Sequence, residues 1–174
     1  MANGALEEIM QKEFDKIGPV IFEDTDKIFA NKIRKTLTEA DILDSFQRIG
    51  INTPLDMPLC DFVAPLNNVG GGGIGSTDVG DVSWVVPTVQ ARVATCAVGT
   101  SFHTWQAVAQ GKSSLAHKGM IHAAKVMAST ARALIEDPKN LKEAKEIFNS
   151  QVSKNPYICP IPRDILPPVI KNNI

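Results

Sequence analysis

The sequence has no CxxC pair, no long apolar run, no internal repeat and almost no net charge, and each lack excludes something. Its three cysteines, Cys60, Cys96 and Cys159, are odd in number and widely spaced. That removes the usual beginnings of a zinc ribbon or a dithiol redox centre and leaves buried or idle thiols. A formal net charge of −1 gives no field to steer a polyanion, so nucleic acid is not an expected partner. No stretch approaches the ~20 apolar residues that cross a bilayer. The first fourteen residues, MANGALEEIMQKEF, carry acids and no uninterrupted apolar run, unlike a signal peptide. The reading is cytoplasmic, with no membrane partner. At 174 residues, one unit spanning 1–174 with its own core is the default.

What is present is unevenly distributed. Residues 1–50 read as helical. Leu6, Ile9, Met10 and Phe14 recur at three-to-four spacing until Gly18 and Pro19 intervene. A second helix begins near Asp24 or Thr25 and runs through Ile28, Phe29, Ile33 and Leu37. Thr38 caps a third, with Asp41 completing a capping box ahead of Ile42, Leu43 and Phe46. Residues 51–112 hold Pro54, Pro58 and Pro65, a strand-like stretch at 60–64, a glycine run, and two β-rich runs at 82–86 and 92–98 around Pro87. Residues 113–152 return to helix. There Met120, Ala124, Met127, Ala131 and Leu134 form the stripe expected to pack, and Lys118, His122, Lys125, Ser129, Arg132 and Glu136 the wet one. Asp137 and Pro138 start a last helix, and residues 153–174 make an extended, proline-rich tail. Helices around a few strands predict an α/β fold, a mixed sheet flanked by helices.

Residues 70–106 concentrate glycine, acid, histidine and tryptophan. Gly70, Gly72 and Gly75 satisfy G-x-G-x-x-G, but that fingerprint needs a helix after it, and a β-rich run follows. Gly111, Lys112 and Ser113 end like a phosphate-binding loop, yet Gln106 stands where its first glycine belongs. A flexible loop holding no phosphate is favoured over both. Asp78 and Asp81 are the carboxylates beside the glycines. His122 reads as solvent-exposed on the polar side of its helix, and His117 as a surface or packing residue. His103 differs, because it follows Gly99, Thr100 and Ser101 at a strand exit and precedes Trp105, an aromatic suited to shaping a dry pocket. Metal ligand, acid/base group and structural residue all fit it on this evidence.

The stretches GIGSTDVGDVSWVVPT, VGTSFHTWQ, HKGMIHAAKVMASTA and YICPIPRDILPP, with FEDTDKIFANKI near the start, also carry a family resemblance. They resemble the zinc-dependent aminoacylase and carboxypeptidase family, whose members hydrolyse amide bonds of N-acyl amino acids. The resemblance covers nearly the whole chain. It implies the portion of a zinc-peptidase catalytic domain that follows an inserted lid and dimerisation domain. The chain would then be a segment or subunit of a metal-dependent amidohydrolase for N-acyl amino acids such as p-aminobenzoyl-glutamate. A homo-oligomer, and an upstream half or partner subunit, are implied with it. On the family's pattern His103 is a ligand to zinc or another divalent metal, Asp78 a catalytic or pocket acid, and Gly72, Gly73, Gly75 and Thr77 bind substrate. Ser76, Thr77 and Asp78 stand where relatives often carry Ser-Glu-Asp. Ser101, Phe102, His103 and Thr104 stand where they tend to carry Pro-Gly-His-Ser. The other metal ligands and the water-activating glutamate have no match in this sequence, and a catalytic zinc takes about three protein ligands. The resemblance therefore implies a chain inactive alone or, alternatively, a non-catalytic structural or binding remnant of the fold.

Overall fold

A computed structural model describes residues 1–49, 56–66, 77–162 and 164–166. α1 (Gly4–Ile17) begins on Asn3, whose side-chain oxygen accepts from the Leu6 N–H, and ends on Gly18 at φ 80°, a left-handed position that suits glycine. α2 (Asp24–Arg34) is capped by Glu23, one residue before Asp24, through a reciprocal box with Asp26, and stops at Arg34, short of Leu37. α3 (Glu39–Ile49) follows the expected cap. The Thr38 N–H donates to the Asp41 carboxylate at 2.9 Å, and the Asp41 N–H donates back to the Thr38 hydroxyl at 3.2 Å. α4 (Val79–Val85) and α5 (Trp105–Gln110) are short. α6 (Ser114–Glu136) is the longest helix, capped by Ser113, and α7 (Pro138–Lys154) follows the Asp137 cap with proline in its first turn. No described residue after Lys154 is helical.

α1, α6 and α7 pack on one another. Asn3 joins the first to the last, since its side-chain amide also donates to the Ala144 carbonyl at 2.9 Å, where Ala144 is fully buried. A second body of core lies beside this bundle, built from Val20, Phe22, Ala30, Ile33, Leu59, Ala97, Leu115 and Ala116. Burying a Leu, Val or Phe side chain contributes roughly 1.5–3 kcal/mol, so this cluster holds the loops at 59 and 97 against the start of α6.

The α/β fold with a mixed sheet, and with it the likeness to a zinc-peptidase sheet, is overturned: the described residues form helices and no strand. Val82, Trp84 and Val86 alternate, but residues 79–85 are helical. Five residues of alternation span little more than one helical turn, and only a paired ladder makes them a strand. Residues 60–64 and 91–95 lie outside any helix, as expected, yet they pair with nothing in register. The backbone around 97 is satisfied by other means. The Ala97 N–H donates to the buried Gln110 side chain at 2.7 Å and the Val98 N–H to the Pro58 carbonyl at 3.0 Å. Instead of a neighbouring strand, this segment meets α6. A Cβ added at Gly119 would lie 2.0 Å from the Ala94 carbonyl oxygen, so the helix touches the segment backbone through a residue with no side chain.

The packing face of α6 also differs from the expected one. The buried line runs through Leu115, Gly119, His122, Val126 and Thr130, while Met120 and Met127 of the expected core stripe are 60% and 53% exposed. Small and apolar residues occupy most of the circumference of this helix, so hydrophobicity alone does not choose a face. The choice follows the polar residues that find partners beside the buried line. Lys118 Nζ lies 2.5 Å from the buried Asp26 carboxylate, and the Ser129 hydroxyl donates to the buried Glu13 at 2.5 Å.

Candidate functional site

Thr77 and Asp78 stand at the start of α4. The Thr77 hydroxyl accepts from the Val79 N–H at 3.2 Å, and Asp78, at the cap position, makes no side-chain capping bond and is exposed. α4 is held from two directions. The Met1 amino group donates to Ser83 Oγ, and the Tyr157 hydroxyl donates to Asp81 at 2.9 Å while its ring stacks on Trp84, centroids 6.4 Å apart. The hydrogen bond to Asp81 pushes the Tyr157 phenol up to about 12. Behind Thr77 is a polar hollow of about 480 Å³, also lined by Glu7, Ser83, Gln90 and Arg92. Asp78 does not line it. Gly72, Gly73 and Gly75, the expected substrate-binding glycines, lie outside the described residues, as do Gly70 and Ser76.

His103 is exposed on the turn before α5, at φ 63°. An L-residue held in the left-handed region is uncommon, and histidine is among the types enriched there. The turn is built by its neighbours: the Thr104 hydroxyl donates to the Ser101 carbonyl at 2.7 Å and accepts from the Ala107 N–H at 3.3 Å. Gln110, fully buried at the end of α5, braces the same turn, giving one amide hydrogen to the Thr100 hydroxyl at 3.1 Å and another to the Gln106 carbonyl at 3.0 Å. Trp105, expected to dry a pocket, is 61% exposed. Gly111, Lys112 and Ser113 turn from α5 into α6, with Ser113 serving as a cap. Among the described residues, no three His, Cys, Asp or Glu side chains converge as a metal-holding group.

Asp26, Glu13, two cysteines and His122 are also shifted by their surroundings. Burial pushes the Asp26 carboxyl up, but Lys118, the Glu23 backbone and Ser114 together hold it below the carboxylate range. Lys16 and Ser129 hold Glu13 down in the same way. Burial raises the thiols of Cys60 and Cys96, which makes them poor nucleophiles at neutral pH. His122 is buried, against its expected exposure, and burial and Lys125 lower its pKa. The sequence signal for this was its place on the line of Leu115, Gly119 and Val126. Gln110 carried no comparable signal, because amides of this kind are mostly exposed.

No protein-family profile and no solved structure matches the chain. Among the described residues, no helix is long and apolar enough to cross a membrane. One curated protein is similar across the chain. It is a subunit of the p-aminobenzoyl-glutamate hydrolase of Escherichia coli (strain K12), 36% identical over 181 aligned positions that cover 98% of this chain. The chain spans 38% of that protein's length. The resemblance carried by the stretches from FEDTDKIFANKI to YICPIPRDILPP is thus a resemblance, over nearly the whole chain, to part of a p-aminobenzoyl-glutamate hydrolase polypeptide.

Proposed function

We propose that the chain forms part of an amidohydrolase that cleaves p-aminobenzoyl-glutamate or a related N-acyl amino acid. The observation that carries this reading is the 36% identity to a named hydrolase polypeptide over 98% of the chain. In the proposal His103 is a metal ligand, Asp78 a pocket acid, and Gly72, Gly73, Gly75 and Thr77 hold substrate. The exposure of His103 on a braced turn supports its part, since a strained, outward-facing histidine is presented to whatever docks there.

A catalytic zinc or other divalent metal takes about three protein donors and one open position. The described residues do not supply that set, so they do not by themselves fit a complete metal site, and no chemical step is assigned to one. The proposed activity therefore needs further polypeptide, either a partner subunit or the sequence corresponding to the rest of the relative's length. The outer side of α6 supports this. Met120, Met127 and Ile135 are exposed there, and a helix apolar on both sides is ordinarily covered on both. Homo-oligomerisation would use the same face.

The test is an assay of glutamate and p-aminobenzoate release by the chain alone, by candidate partner polypeptide alone, and by the two together. Turnover is expected only in the mixture, with His103→Ala lowering kcat at least about 100-fold. Turnover that ignores His103→Ala would remove the assigned ligand. Complete inactivity of an assembled mixture would favour the second reading, a non-catalytic binding or structural role, which the incomplete donor set supports.

A further inference from the structure

The turn that carries His103 is not held by the side chains it displays. Phe102, His103 and Trp105 are all exposed, so their own packing does not fix the backbone between them. A residue at φ 63° stays there only where its surroundings over-determine the chain. Two such constraints flank the turn. Before it, Gly99 at φ 96° lies against α3, where an added Cβ would come within 2.8 Å of Ile42 Cγ1 and 3.2 Å of Ile42 Cα. The second is Gln110, 1% exposed, whose carboxamide reaches both sides of His103. Its oxygen accepts from the Ala97 N–H at 2.7 Å, and its NH2 donates to the Thr100 hydroxyl at 3.1 Å and to the Gln106 carbonyl at 3.0 Å. The two ends of that amide are not interchangeable. Turned end for end, it would set its NH2 against the Ala97 N–H and its oxygen against the Gln106 carbonyl. A hydrocarbon of similar size would fill the space and take this acceptor away from the Ala97 N–H.

We propose that Gln110 is a positioning residue for His103: by tying Ala97, Thr100 and Gln106 to one buried amide, it presets the turn that presents His103 to substrate or to a partner polypeptide. What His103 does there rests on the proposed function. How the turn is held rests on these hydrogen bonds alone, so the two can fail separately. The amide is specific to the task, because one group must accept on one side of the turn and donate twice on the other. Glutamate keeps the acceptor and loses both donors, and methionine loses all three.

The experiment has two arms. The first is NMR of the full 174-residue chain by itself, reading the intraresidue amide-to-Hα NOE of His103, which is strong at positive φ, and the amide exchange of Ala97. Gln110→Met should weaken the NOE and speed the exchange. Gln110→Glu should weaken the NOE while Ala97 stays protected. Thr130→Val, which removes a buried hydrogen bond to the Val126 carbonyl within α6, is the control for a merely structural loss and should change neither. The second arm is the assay of chain and partner polypeptide together. There Gln110→Met should lower kcat about tenfold with KM unchanged, the mark of a displaced group rather than a lost binding contact, and Thr130→Val should lower neither. An unchanged His103 NOE in Gln110→Met overturns the proposal. So does an undiminished kcat in a mixture that His103→Ala inactivates. If the mixture has no turnover, or turnover indifferent to His103→Ala, the proposed function fails and the NMR arm decides the positioning claim by itself. If Gln110→Met does not fold, Gln110→Glu decides, and a retained NOE there overturns the proposal.

Discussion

The two sides of α6 differ in how they are matched. On the inner side Gly119 meets the Ala94 backbone, Lys118 meets Asp26, Ser129 meets Glu13, and Val126 is sealed from water. On the outer side Met120, Met127 and Ile135 are each more than half exposed. The inner side shows the packing this chain completes for itself. The outer side is apolar at these positions, and under the proposed function it is the surface that another polypeptide covers.

The comparison breaks most severely at Gly119. Gly119→Ala places a methyl where a carbonyl oxygen already lies, and should cost about 3 kcal/mol despite a gain of about 1 kcal/mol in helix propensity. Stability equal to the parent in urea unfolding would mean that residues 91–97 do not rest on this helix. Lys118→Met is next. It strands the Asp26 carboxylate, whose side chain is 2% exposed, and should cost about 2 kcal/mol, less than for a fully buried pair because Lys118 is 27% exposed. A double-mutant cycle with Asp26→Asn checks it, and additive losses would count against the pairing.

The inner side should also respond to pH in two stages. His122 has its folded pKa lowered by burial and by Lys125, against a favourable Gly18 contact, and Arg92 lines the same small hollow as His122. Below its unfolded value of 6.5 the unfolded chain takes a proton that the folded chain refuses, so stability is full above 6.5 and declines as pH falls from there. Asp26 and Glu13 are held below their unfolded values of 3.8 and 4.5, so their contribution persists above those values and is lost as pH drops through the lowered folded ones. Urea midpoints across pH 3–8 should show both declines, and His122→Phe should erase only the upper one. The smallest effect belongs to the outer side. Met120→Gln and Met127→Gln should each change the stability of the chain alone by no more than about 0.5 kcal/mol, because both side chains are more than half exposed.

Local signals were legible where one residue decides the outcome. The Gly18 stop, the Thr38 and Asp41 box, and the Asp137 cap are single-residue chemistry, and each sits where the sequence places it. Strands were not legible, because 82–86 and 92–98 have strand composition and a strand needs a neighbour in register. Residues 82–85 of the first run coiled into α4, and residues 91–95 stayed out of helix and settled on α6. The face of α6 was hidden for a related reason. With apolar residues on both sides, distant Asp26 and Glu13 decide which one is buried, and periodicity does not register them. Of the candidate site, the turn that presents His103 has a physical basis in Gln110, a contact thirteen residues from Ala97 in sequence that no motif announces.

The central proposal is that the outer side of α6 is an interface through which copies of the chain associate. Sedimentation velocity of the chain across a hundredfold range of concentration tests it most directly. The account predicts association that grows with concentration and is sharply reduced in the Met120→Gln, Met127→Gln double variant. A single monomeric species at every concentration, identical in the parent and the variant, would contradict it.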